Sequence, residues 1–199
     1  MSYTKLLNPA SSLLVVIDLQ GKLMDMVYRP ALVKAATIRL MQLAELFEVP
    51  VILTEQYPQG LGTTQPEVRA AFDGLSTAKR FIEKLSFGCC GDDGFNAALA
   101  ELRPGIGSAD LQLVVAGIET HVCVMQTVLE SLKLGRQTHV CWEAVSGRGE
   151  EYRRHGLERM QQAGAVISNH ESVAFEWARN KQHPQFKAMN QILREGQLG

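Results

Sequence analysis

The sequence has no excess of charge of either sign. Its 20 Lys and Arg and 21 Asp and Glu are interspersed and leave a formal net charge of -1. A surface that neutralises phosphates needs clustered cations, so nucleic acid is not an expected partner. Long apolar runs are also missing. None approaches the roughly 20 residues that span a bilayer, so no membrane association is expected. A secretory leader is not expected either. The apolar run near the N-terminus holds Asp18, and no small-residue cleavage site follows it. Cysteine is sparse, with four in the chain: Cys89, Cys90, Cys123 and Cys141. Their spacing is not that of a small secreted scaffold, and a chain of 199 residues can bury a core without staples. Adjacent Cys89 and Cys90 lack the second Cys-x-x-Cys or His pair of a zinc site. Reduced thiols, a cytoplasmic location and no metal or other cofactor are the expectation. Internal repeats, low-complexity tracts and linkers are absent, so one domain over residues 1–199 is expected.

What is present is an alternation of apolar runs and helical patterns. Apolar runs at 13–19, 51–54, 78–83, 111–116, 138–142 and 165–168 read as six strands. Helical spacing is found over 29–47, 67–72, 95–102, 120–134, 151–163, 171–179 and 185–194, with a long loop after the second strand. Strands alternating with helices imply an α/β fold with a parallel sheet covered on both faces. The runs "SLLVVI" and "LQLVVAG" lack polar alternation, as strands buried on both sides should. The expected architecture is a three-layer α/β/α, Rossmann-like fold. Its six-stranded, mainly parallel sheet has the order 3-2-1-4-5-6.

In such sheets, ligands bind beyond the carboxyl ends of the strands, where strand order reverses. The residues just past the strands are therefore the ones to weigh. They are Asp18 after the first, "EQYP" after the second, Lys84 after the third, and Gly117 to Cys123 after the fourth. An acid, a base and a thiol share one rim. Each also has a plain reading. Cys123 could be core filler in an apolar helix. Asp18 could be a helix cap or half of a structural ion pair. Lys84 could be a solvated surface residue. Together they could perform acyl transfer through a thioester. A cation and a helix start, capped by Thr120, would lower the thiol pKa, and Gly117 would permit a tight turn. His121 stands two residues from Cys123, and side chains at that spacing diverge on a helix. Glu55, Gln56 and Tyr57 are either ordinary loop or pocket lining. A thiol redox pair of Cys123 with Cys89 or Cys90, and a non-catalytic binding or scaffold protein, are the competing readings.

The anchors "LLVVIDLQGKL", "FIEKLSFG" and "VVAGIETHVCVMQTVLESL" occur in order, each at the end of an expected strand. With them the chain resembles the isochorismatase-like cysteine hydrolases over nearly its whole length. "EQYPQGLGTT" and "GIETHVCVMQT" are most similar to the isochorismatase domain-containing protein branch. The resemblance implies a catalytic triad of Asp18, Lys84 and Cys123. It also implies a cis peptide at Ile118–Glu119 and an oxyanion hole from the N–H groups of Glu119 and Cys123. It further implies a homo-oligomer and a small-molecule substrate. Gln20, Gln56, Tyr57, Phe87 and Thr120 are the candidate substrate contacts. Two branches are departed from. Nicotinamidases carry an Asp-x-His metal motif where this chain has Glu55, Gln56 and Tyr57, and isochorismate-cleaving enzymes lack the cysteine present here as Cys123. A small amide or related acyl compound is the substrate class that follows. The pair Phe175 and Trp177 could pack a terminal helix on a partner or on the core.

Overall fold

A computed structural model describes residues 5–195. The ends of the expected 1–199 domain therefore lie outside the described residues. The strands are β1 (Ser12–Ile17), β2 (Val51–Gln56), β3 (Lys79–Lys84), β4 (Gln112–Ile118), β5 (Gln137–Ser146) and β6 (Val166–Ser168). The helices are α1 (Gly21–Met24), α2 (Pro30–Leu46), α3 (Pro58–Leu61), α4 (Pro66–Asp73), α5 (Asp93–Leu102), α6 (Met125–Lys133), α7 (Glu150–Gln162), α8 (His170–Ala178) and α9 (Phe186–Arg194). The sheet order is β3-β2-β1-β4-β5-β6. Every pairing is parallel, so "mainly" becomes "entirely".

The sheet forms because its central strands are apolar on both faces. All residues of β1 and β4 are buried. Period-two alternation sends Leu14 and Val16 to one core layer, and Leu13, Val15 and Ile17 to the other. The first layer meets Leu40 and Met41 of α2 and Trp177 of α8. The second meets Phe95 and Leu99 of α5, Val128 of α6 and Met160 of α7. Each fully buried side chain of this size contributes about 1.5–3 kcal/mol. The edge strand β3 exposes Arg80 and Glu83, charges that discourage pairing with another chain. Helix starts follow local chemistry. Pro30 opens α2, Asp92 caps α5 through the Phe95 N–H at 3.0 Å, and Asn169 caps α8 through the Ser172 N–H at 2.8 Å.

Several boundaries differ from the sequence reading. β4 runs on to Ile118, so Gly117 lies inside the strand rather than in a turn after it. Its φ is 130°, and a Cβ there would stand 2.2 Å from the Ile17 carbonyl oxygen. Glycine is thus needed for close approach to β1. The expected helix over 120–134 begins as a π-helical turn, Thr120–Val124, before α6. The long loop after β2 contains α3. Trp177 is 2% exposed and donates to Ser12 Oγ at 3.0 Å, so it packs on the core, whereas Phe175 is 49% exposed.

One buried histidine ties this fold to pH. Burial on β5 pushes the His139 imidazole down to about 4. An unfolded histidine takes a proton from about pH 6.5 downward, which the folded one refuses until about 4. The stability it supports is therefore intact above 6.5 and lost as pH falls toward 4. Between pH 7 and 4.5, chemical denaturation should show wild type losing about 2–3 kcal/mol more than His139→Gln. Equal losses in the two proteins would refute the assignment.

Candidate functional site

The site lies beyond the carboxyl ends of β1 and β4, between which the strand order reverses. Asp18 follows β1 directly. Its φ of 52° is left-handed, a region few non-glycine residues occupy. Its side chain is fully buried and shared between two neighbours. Thr54 Oγ1 of β2 donates to Oδ1 at 2.7 Å, and Lys84 Nζ of β3 donates to Oδ2 at 2.7 Å. The Lys84–Asp18 ion pair has no side-chain exposure on either partner. Lys84 ends the edge strand, so its long side chain crosses beyond β2 to reach Asp18. Nζ also donates to the Ser86 and Phe87 carbonyls, each at 3.1 Å, which completes the three bonds an ammonium can make. Burial alone pushes this ammonium pKa down, but the Asp18 carboxylate and the nearby thiols outweigh it, and the net shift is up.

Cys123 sits in the π-helical turn after β4 and is 7% exposed. The Ile118–Glu119 peptide bond that leads into this turn is cis. The Glu119 carbonyl accepts the Val122 and Val124 N–H groups at 3.0 and 3.3 Å. Glu119 Oε1 accepts from Arg148 Nε at 3.0 Å. Thr127 Oγ1 donates to the Cys123 carbonyl at 2.7 Å and accepts the Cys89 N–H at 2.9 Å. It thereby ties the cysteine turn to the 3-10 turn Cys89–Gly91. The expected drop in the Cys123 pKa is not found. Burial first, then the Asp18 charge, push the thiol up, and Lys84 offsets only part of this. Burial beside Asp18 therefore disfavours the Cys123 thiolate.

The structure thus brings Asp18, Lys84 and Cys123 together, and it removes the solvated reading of Lys84, which is 2% exposed. The candidate substrate contacts divide. Gln56, Tyr57 and Phe87 surround Lys84. The Tyr57 N–H donates to the Lys84 carbonyl at 3.0 Å, and Gln56 Nε2 donates to the Leu85 carbonyl at 3.1 Å. Tyr57 and Phe87 are 49% and 54% exposed. Gln20 is fully buried, and its amide is occupied by the Gln56 N–H and the Gln56 and Gly62 carbonyls. It tethers the loop after β2. Thr120 is fully buried and does not cap the helix; the capping position is Glu119. Thr120 packs on α7, where a Cβ added to Gly156 would stand 3.0 Å from its methyl group. His121 turns its ring toward Tyr152, with centroids 4.9 Å apart. All four cysteines are free. Burial raises the Cys90 thiol, pushes the Cys89 thiol up to about 12, and holds Cys141 well above the usual range. Among the described residues, no group of three or more His, Cys, Asp and Glu could hold a metal ion, and no helix is long and apolar enough to cross a membrane.

Three residues escaped the sequence reading. Thr54 stands just before "EQYP", and examining the last residue inside each strand as well as the first beyond it would have found it. Gly156, isolated within a helical pattern, signals close packing. Thr127 carries no signal of its own, because its partners come together only in the fold.

Fold and site together define an open parallel α/β protein with a buried polar cluster at the switch point. The isochorismatase domain model matches residues 12–172, and the chain belongs to that family. Isochorismatase domain-containing protein 2A of Mus musculus is 38% identical over 189 residues, covering 94% of this chain and 84% of that protein. Among solved structures, the MAR1 ribonuclease of Caenorhabditis elegans superposes with a TM-score of 0.85 at 29% identity, over 98% of this chain and 96% of that one. YcaC from Pseudomonas aeruginosa, solved with hexane-2,5-diol and covalent acrylamide, gives 0.84 at 26% identity, over 97% and 92%. YcaC from Escherichia coli, described as an octameric hydrolase of unknown specificity, gives 0.84 at 26% identity, over 97% and 91%.

Proposed function

We propose that this chain is a cysteine hydrolase of small amides or related acyl compounds. The observation that carries the reading is the fully buried Lys84–Asp18 pair beside the Cys123 thiol. Burying two charges is costly unless they serve each other or a reaction. Here the carboxylate borders a thiol that needs a base. In the proposed cycle, Cys123 Sγ attacks the carbonyl carbon as its proton passes to Asp18. The oxyanion is held by the N–H groups of Glu119 and Cys123, donors that a helix start leaves without partners inside the helix. The carbon–nitrogen bond breaks, and Asp18 returns the proton to the departing amine. Water then attacks the thioester with Asp18 as base. The acid leaves, and the proton returns to sulfur. Lys84 stays protonated throughout and offsets the negative charge that moves between sulfur and carboxylate. The covalent acrylamide of the P. aeruginosa neighbour is the kind of adduct that a nucleophilic side chain forms, and it supports a reactive nucleophile in this fold. A triad with exposures of 0%, 2% and 7% for Asp18, Lys84 and Cys123 suits a small acyl group rather than the RNA in the nematode protein's name. The test is intact-mass analysis after brief exposure to acrylamide at neutral pH. One adduct per chain is expected, mapping to Cys123; first labelling at Cys90, or an internal disulfide under mild oxidant, would reverse the reading in favour of redox chemistry.

We propose further that the chain is a homo-oligomer. The octameric E. coli neighbour supports this, as do Tyr57, Leu85 and Phe87, exposed together near the site at 49%, 76% and 54%. Sedimentation at micromolar concentration should show a species larger than one chain, and a monomer would contradict the proposal.

A further inference from the structure

Thr54 grips Asp18 from two sides. The Asp18 N–H donates to the Thr54 carbonyl at 3.2 Å, and the Thr54 hydroxyl donates back to Asp18 Oδ1 at 2.7 Å. Thr54 is fully buried near the end of β2, in register with Ile17 of β1 and Ile82 of β3. The residue it holds has a left-handed backbone, φ 52°, which persists only where surrounding contacts over-determine it. No water-exposed alternative partner is available to either side chain, since both residues are 0% exposed.

We infer that Thr54 is a positioning residue that keeps the Asp18 carboxyl group aimed as the base for Cys123, an inference that rests on the cysteine-hydrolase reading. The physical reason is the direction of the bond. A hydroxyl that donates to a carboxylate favours its charged form, and a buried hydrogen bond to a charged group is among the stronger ones. The other groups that act on the Asp18–Cys123 pair are Lys84 of β3, bonded to the second carboxylate oxygen, and the Cys89 thiol from the segment after β3. Lys84 supplies charge and has two carbonyls to hold it as well. Thr54 supplies a fixed direction at the other oxygen. Valine matches threonine in shape and keeps the backbone half of the grip, so Thr54→Val removes the hydroxyl alone.

The readout needs no substrate. The rate of Cys123 carbamidomethylation by iodoacetamide is followed by intact mass against pH, with Cys123→Ala as the blank. In wild type the rate should fall on the acid side as Asp18 takes a proton, and Asp18→Asn should lack that limb. Thr54→Val should move the limb up by about one to two pH units, the value of one hydrogen bond to a charged group. Thr54→Ser, which restores the hydroxyl, should return it to the wild-type position. A purely structural role would lower the melting temperature of Thr54→Val and leave the limb in place, and that result overturns the inference. If Thr54→Val does not fold, Thr54→Ala reads the same limb. If Asp18→Asn keeps the wild-type limb, the assignment of Asp18 as base fails, and the inference about Thr54 fails with it. An Asp18-dependent limb that Thr54→Val leaves unmoved defeats only the inference about Thr54.

Discussion

Cys123→Ala is expected to abolish both covalent labelling and turnover while leaving the fold intact. The methyl group of alanine replaces a small side chain that is 7% exposed, so the packing change is slight, but no nucleophile remains. Asp18→Asn should reach nearly the same rate by another route. Asparagine holds the shape yet cannot accept the thiol proton, and burial disfavours the free thiolate. Losing a nucleophile or its base from a unit that acts together costs several orders of magnitude, on the order of 10⁴-fold or more. The assay is hydrolysis of a panel of small primary amides and related acyl compounds, with intact mass to detect the thioester. Wild type should show an acyl adduct, Asp18→Asn a trace at most, and Cys123→Ala none. Wild-type turnover by Cys123→Ala on any hydrolysed substrate would show that the reaction does not pass through sulfur.

Lys84→Met is expected to cost stability on the scale of a broken buried ion pair. The variant removes the cation 2.7 Å from the Asp18 carboxylate and leaves that group with the Thr54 hydroxyl alone, in a site with no solvent exposure. Removing one member of a buried pair costs about 3–5 kcal/mol, chiefly because the other charge stays buried. The double variant Asp18→Asn/Lys84→Met should recover much of that loss, since no lone charge remains. Urea denaturation at pH 7 measures both. A loss below about 1 kcal/mol in Lys84→Met would mean that the pair contributes no more than a surface contact. The same site sets an alkaline limit. The Lys84 pKa is raised in the folded state, so the stability it lends is complete below the unfolded value near 10.4 and is lost as pH rises through the folded value. The Cys89 and Cys123 thiols are also raised, Cys89 to about 12, and they begin to favour unfolding above the ordinary thiol value of roughly 8.5. Wild type should therefore weaken progressively above that pH.

Much of the fold was legible because its signals are local. Continuous apolar runs such as "SLLVVI" mark strands that must be covered on both faces, and alternation with helical patterns requires parallel connections. The strand order followed from that architecture, and the rim rule placed Asp18, Lys84 and Cys123 on one edge. The missed boundaries share a cause. β4 extends to Ile118 because Gly117 can press against the Ile17 backbone, and β5 extends to Ser146 past an irregular register between Val115 and Gly117. Neither contact has a trace in the local pattern.

Residue types and their order determined the family and the sheet, and pointed to the acid, lysine and cysteine that the fold brings together. Only the tertiary structure decided how those groups are charged and held. A helix start and a lysine, read along the chain, argued for an acidic thiol. The folded site buries that thiol beside Asp18, and desolvation together with a like charge outweighs both effects. Gln20 and Thr120 looked available for substrate in the linear order, yet one is occupied by loop backbone and the other is packed on Gly156. Thr54 and Thr127 acquired partners from other elements only when β1, β2 and the cysteine turn came together. Ionisation and orientation depend on what surrounds a group within a few ångströms, and those neighbours come from distant parts of the chain.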